Sequence, residues 1–97
     1  MHFRITKVSH HPDKREEVLE YLGSVGDKIT SIDGLKIVRM VAISDNQVIA
    51  ISEYDNEEQL KEAESSFGSI MAGLQPFITA PPEVNNGDVI WQHVNQG

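Results

Sequence analysis

No cysteine occurs among the 97 residues, which removes disulfides, thiolate metal sites and a cysteine nucleophile from consideration. Positive charge is scarce too: eight Lys and Arg stand against fifteen Asp and Glu, a net charge of −7. Such a balance repels phosphate backbones and anionic lipid surfaces, so nucleic acid is not an expected partner. Long apolar runs are missing as well. None approaches the ~20 residues that span a bilayer, and the N-terminal stretch lacks the basic and apolar regions of a signal peptide. A cytoplasmic protein without a membrane partner is therefore expected. Neither a glycine-rich phosphate loop nor a nucleophile elbow is present, which argues against nucleotide hydrolysis and serine-hydrolase chemistry.

What is present reads as one α+β domain over residues 1–97, large enough to bury roughly 65% of its unfolded surface. Residues 2–8, HFRITKV, alternate partly in polarity and are rich enough in β-branched residues to predict a strand. His11-Pro12 breaks it, and Pro12 suits a first helical turn, where its missing N–H has no intrahelical partner. Val18, Leu22, Val25, Ile29 and Ile32 then recur at spacings of four and three, the stripe of an amphipathic helix, with Gly23 and Gly26 marking a kink or early end. Asp33-Gly34 gives the stop. Residues 35–43 and 47–54 predict a hairpin around Ser44-Asp45-Asn46. Asp55 or Asn56 can cap a second helix whose stripe is Leu60, Ala63, Phe67, Ile70, Met71 and Leu74. Pro76 ends it, Pro81-Pro82 keeps the connection extended, and residues 88–94, DVIWQHV, predict the last strand.

The order β-α-β-β-α-β predicts a ferredoxin-like, four-stranded antiparallel sheet with both helices on one face. Both alternating sets of the hairpin are apolar: Leu35, Ile37, Val41 and Ile43 on one side, and Val38, Met40 and Ala42 on the other. Helices cover only one face, so the second apolar face requires a partner sheet, and a homodimer is the expected assembly.

Polar groups interrupt these strands. Lys7, Arg39, Glu53 and His93 can project into a cavity between two sheets, where desolvation perturbs titration. Arg39 and Glu53 also read as a cross-strand ion pair, and Lys7 as a solvated strand end. Trp91 and His93 share one face by the two-residue period, an indole beside an imidazole that suits a flat aromatic ligand; alternatively Trp91 fills the core or an interface with His93 at its edge. His10-His11 reads as a solvated loop pair, because neighbouring positions on a strand point oppositely and no carboxylate stands at a ligand spacing. No metal or other cofactor is expected.

The βαββαβ order, the His11-Pro12-Asp13-Lys14 helix entry, the Asp33-Gly34-Leu35 junction and the PFITAPPEV stretch together resemble the antibiotic biosynthesis monooxygenase-like family. The resemblance covers nearly the whole chain. It implies a dimeric α+β barrel in which two sheets pack face to face, with a cavity for an aromatic, quinol- or polyketide-like substrate. It also implies oxidation by molecular oxygen without metal or flavin in several members. In that setting His93 is the expected proton-transfer group, Trp91 a stacking wall, and Arg39 a stabiliser of developing negative charge. Glu53 and Lys7 complete the expected substrate-binding set. The second helix has no histidine and the first strand no asparagine, so the haem ligation of some relatives is not expected. The alternative is a non-catalytic dimeric module that binds a small molecule or only assembles.

Overall fold

A computed structural model of the chain describes residues 1–96. Strand β1 (His2–Ser9) leads through a 3₁₀ turn at Pro12–Lys14 into helices α1 (Arg15–Ser24) and α2 (Gly26–Thr30). Strands β2 (Leu35–Ala42) and β3 (Gln47–Tyr54) form the hairpin; helices α3 (Glu57–Glu62) and α4 (Glu64–Ala72) and strand β4 (Glu83–Asp88) complete the chain. The sheet order is β2-β3-β1-β4 with every neighbouring pair antiparallel, the ferredoxin-like arrangement.

Each predicted helix is present but broken once. The first breaks at Val25, between Gly23 and Gly26, where two residues of low helix propensity flank the interruption. The second breaks at Ala63, whose buried side chain continues the apolar stripe from Leu60 towards Ile70 and Leu74. Asn56 caps α3: its Oδ1 accepts from Gln59 N–H at 2.9 Å, satisfying one of the donors a helix start leaves free.

Two strand assignments need correction. The last strand is Glu83–Asp88, EVNNGD, not residues 88–94. Its polar sequence has little strand preference; antiparallel pairing with the outer edge of β1, from His2 opposite Asp88 to Lys7 opposite Glu83, recruits it as an exposed edge strand. Beyond the bond from Val89 N–H to Met1 C=O, residues 90–96 form an irregular arm. The second correction concerns Leu35. A bulge between Leu35 and Ile37 turns Leu35 away from the Ile37, Val41 and Ile43 face and packs it, with Ile32, on the buried cluster of Tyr54, Leu60 and Ala63.

The register assigns side chains to the two faces. Under the helices lie His2, Arg4, Thr6 and Val8 of β1 with Val48, Ala50, Ser52 and Tyr54 of β3. The opposite, open face carries Phe3, Ile5 and Lys7 of β1, Ile49, Ile51 and Glu53 of β3, and Ile37, Arg39 and Val41 of β2. Strand β1 is thus polar on its covered side and largely apolar on its open side.

Gly34 has φ +79°, and a Cβ there would meet the Gln59 side chain, with the two Cβ atoms 2.8 Å apart. Gly34→Ala is expected to destabilise the fold by about 1–2 kcal/mol, since a left-handed backbone now carries a side chain and Gln59 must move. A urea titration measures this; an unchanged midpoint contradicts it.

Candidate functional site

Two regions bring chemically useful groups together, one under the helices and one outside them. The covered region centres on Arg4, which is fully buried although nothing in its sequence neighbourhood marks it as core. Its guanidinium donates to the Tyr54 hydroxyl (3.2 Å), the Leu60 carbonyl (3.3 Å) and the Glu64 carboxylate (3.0 Å). It also lies over the Phe67 ring, 3.9 Å from the centroid. These contacts tie β1 to β3, α3 and α4 through one charge. Burial pushes the Tyr54 phenol above its ordinary pKa against the opposing pull of Arg4, so the hydroxyl stays protonated at neutral pH.

Two further pairs flank the two ends of β1. His2 Nδ1 and Asp88 Oδ1 are 2.5 Å apart, a contact that follows from the β1–β4 register. The hydrogen bond with His2 holds the Asp88 carboxyl below its ordinary pKa. At the other end His10 is fully buried rather than solvated, a correction to the loop reading. Its Nδ1 bonds the His11 carbonyl at 2.7 Å, which makes Nδ1 the donor, and its Nε2 faces Arg15 Nη2 at 3.4 Å. Arg15 in turn donates to the Ser44 and Gln47 carbonyls, fastening the helix entry to the hairpin turn. His11 is exposed. Among the described residues no group of three or more His, Asp or Glu side chains is placed to hold a metal ion.

The five residues singled out from the sequence all lie outside the helix layer, in two sets. Lys7, Arg39 and Glu53 project from the open face of the sheet, with Lys7 4.0 Å from Glu83 across the edge. The expected Arg39–Glu53 ion pair is not among those the chain forms within the described residues. Trp91 and His93 sit on the arm rather than in a strand, yet they do share a side: their rings stack at 6.4 Å with an interplanar angle of 18°. His93 Nε2 bonds Asn95 Oδ1 at 2.8 Å. Trp91 is 80% exposed and Ile90 96%. Two shallow depressions, one by Ser31, Asp33 and Glu62 and one by Gln75, Thr79 and Pro82, include neither ring.

Phe67 lies on the apolar stripe predicted for the second helix, but its meeting with Arg4, Tyr54 and Glu64 escaped the sequence reading. The available signal was the two-residue period of β1, which places Arg4 with Val8 and Thr6 and opposite Phe3 and Ile5.

No family model and no curated protein matches the chain. Solved structures do. A dimeric ferredoxin-like protein from an uncultured marine organism superposes with a TM-score of 0.80 at 15% identity, over 98% of this chain and 92% of that one. SnoaB, a cofactor-independent oxygenase from Streptomyces nogalater, gives 0.76 at 13% identity over 94% of both chains. An antibiotic biosynthesis monooxygenase gives 0.75 at 14% identity, over 93% of this chain and 99% of that one. The fold is that of the antibiotic biosynthesis monooxygenase-like proteins. At these identities the likeness concerns the fold.

Two outcomes follow from the covered region. Arg4→Ala is expected to cost about 2–4 kcal/mol, because it opens a cavity over Phe67 and leaves the buried Tyr54 hydroxyl without its partner; Arg4→Met, which restores the packing alone, should fall between Ala and the parent in urea unfolding. A carboxylate with a depressed pKa contributes stability above its ordinary range and loses it as pH falls through the folded value. The melting temperature of Asp88→Asn should therefore fall less steeply than that of the parent below about pH 4. Parallel curves would contradict the assignment.

Proposed function

We propose that the protein works as a cytoplasmic homodimer with cofactor-independent monooxygenase chemistry on a small aromatic, quinol- or polyketide-like substrate. One observation carries the reading: an indole and an imidazole lie stacked on an arm whose apolar residues are otherwise uncovered. A flat ring can extend that stack, and His93 then stands within reach of a ring hydroxyl. As general base His93 takes the hydroxyl proton; the resulting anion is electron-rich enough to reduce oxygen directly. One oxygen atom enters the ring and the other leaves as water, with the substrate supplying the electrons. The likeness to SnoaB supports this class of chemistry without naming a substrate.

The second copy supplies what one chain lacks. Ile5, Ile37, Val41 and Ile43 on the open face, and Ile90, Trp91 and Val94 on the arm, are all substantially exposed in a single chain. Covering them by a second sheet gives the stacked pair the dry walls a binding site needs. No helix among the described residues is long and apolar enough to cross a membrane. A dimeric module that binds a small molecule without transforming it is the second reading, favoured by the exposure of Trp91 and its place outside both depressions.

Oxygen consumption across a panel of quinols and hydroxyaromatics separates the two. His93→Ala is expected to lower turnover by about 10²- to 10⁴-fold with the fold intact. Trp91→Phe should chiefly raise KM, since it keeps a ring but loses stacking area and the indole donor. If no compound consumes oxygen but one raises the melting temperature, the non-catalytic reading replaces the enzyme.

A further inference from the structure

The open face carries one cation and one carboxylate that the chain itself leaves unmatched. Arg39 stands opposite Ile51, and Glu53 stands opposite Ile37 and Phe3, two positions along the same face. Their neighbours in the register are apolar. Neither forms an ion pair or a side-chain hydrogen bond among the described residues, whereas Lys7, on the same face, has Glu83 beside it. Glu53 is already half-buried and Arg39 is exposed.

Covering this face with an uncharged surface would strand both charges, at a cost of several kcal/mol each. A covering surface must therefore present an acid to Arg39 and a base to Glu53. A second copy of this chain carries both, at the same separation. Under a two-fold axis any contact from one residue to another is repeated in reverse, so a single Arg39–Glu53 match appears twice. Each chain also carries a net charge of −7, so two copies repel at long range and need local attraction to define how they meet.

We propose that Arg39 of each protomer pairs with Glu53 of the other, and that these two reciprocal ion pairs set the register of the sheet-to-sheet dimer. The inference rests on the dimer proposed above and adds what specifies its geometry. It also gives Arg39 a role in assembly in place of the oxyanion role expected from the sequence.

Charge reversal tests it. Arg39→Glu places Glu against Glu twice across the axis, and Glu53→Arg places Arg against Arg twice, so each variant alone should dimerise roughly 100-fold more weakly than the parent. Mixed in equal amounts, the two restore both pairs, and native mass spectrometry should find the heterodimer at close to the parent's affinity. A pair within one chain would not be repaired by mixing. If the parent is a dimer and either variant self-associates as tightly, or if the mixture stays monomeric, the reciprocal pairing is wrong while the dimer stands. If the parent itself is a monomer at micromolar concentration, both fall. Should circular dichroism show that a reversal unfolds the chain, Arg39→Gln and Glu53→Gln take its place, each expected to weaken the dimer about tenfold; no weakening in either overturns the proposal.

Discussion

The pleat of β1 is the constraint on which the rest depends. Successive side chains of a strand point to opposite faces, so eight residues are sorted into two sets by position alone. In β1 the helices cover His2, Arg4, Thr6 and Val8, and the open side receives Phe3, Ile5 and Lys7. An isolated two-layer domain would place its apolar set beneath the helices and its polar set in water. Here the assignment is nearly reversed, and both consequences are visible: a buried guanidinium that needs partners, and an apolar face left exposed.

Arg4 meets the first need. It has partners on β3, α3 and α4 and an aromatic ring beneath it, so the charge is compensated by groups from most of the covered layer. An apolar replacement of similar volume for such a buried charge often costs little, while a missing partner costs much. The guanidinium fixes where α4 begins relative to β1, and the Tyr54 phenol, kept protonated by burial, completes the same cluster.

The elements with strong local signals were legible in the sequence. The hairpin follows from two apolar runs around Ser44-Asp45-Asn46, the helix entry from Pro12, the α3 cap from Asp55 or Asn56, of which Asn56 serves, and the stop at Gly34 from a backbone that only glycine adopts without strain. The last strand was not. DVIWQHV has the alternation and composition of a strand, but EVNNGD occupies the edge of β1, because an unpaired row of backbone groups recruits whatever segment reaches it in register. The bulge that turns Leu35 inward likewise has no signature in LKIVRMVAI. As for the candidate site, Trp91 and His93 lie on an arm and not on the strand whose two-residue period paired them, although their rings stack. The pleat of β1 puts Arg4 on the face of Thr6 and Val8, but its partners on α3 and α4, and the burial of His10, depend on how the helices pack, which no local pattern carries.

The open face thus leaves Ile5, Ile37, Val41 and Ile43 to water in a single chain, and the proposed second copy covers it. Val41 stands on that face, 45% exposed, whereas Leu19, 51% exposed, lies on α1 on the helix side. Sedimentation equilibrium of the parent, Val41→Asp and Leu19→Asp at micromolar concentration tests it most directly. A dimeric parent, a dimeric Leu19→Asp, and a monomeric but folded Val41→Asp are expected, since an unpaired carboxylate cannot be buried between two sheets. A Val41→Asp chain that remains as dimeric as the parent would contradict it.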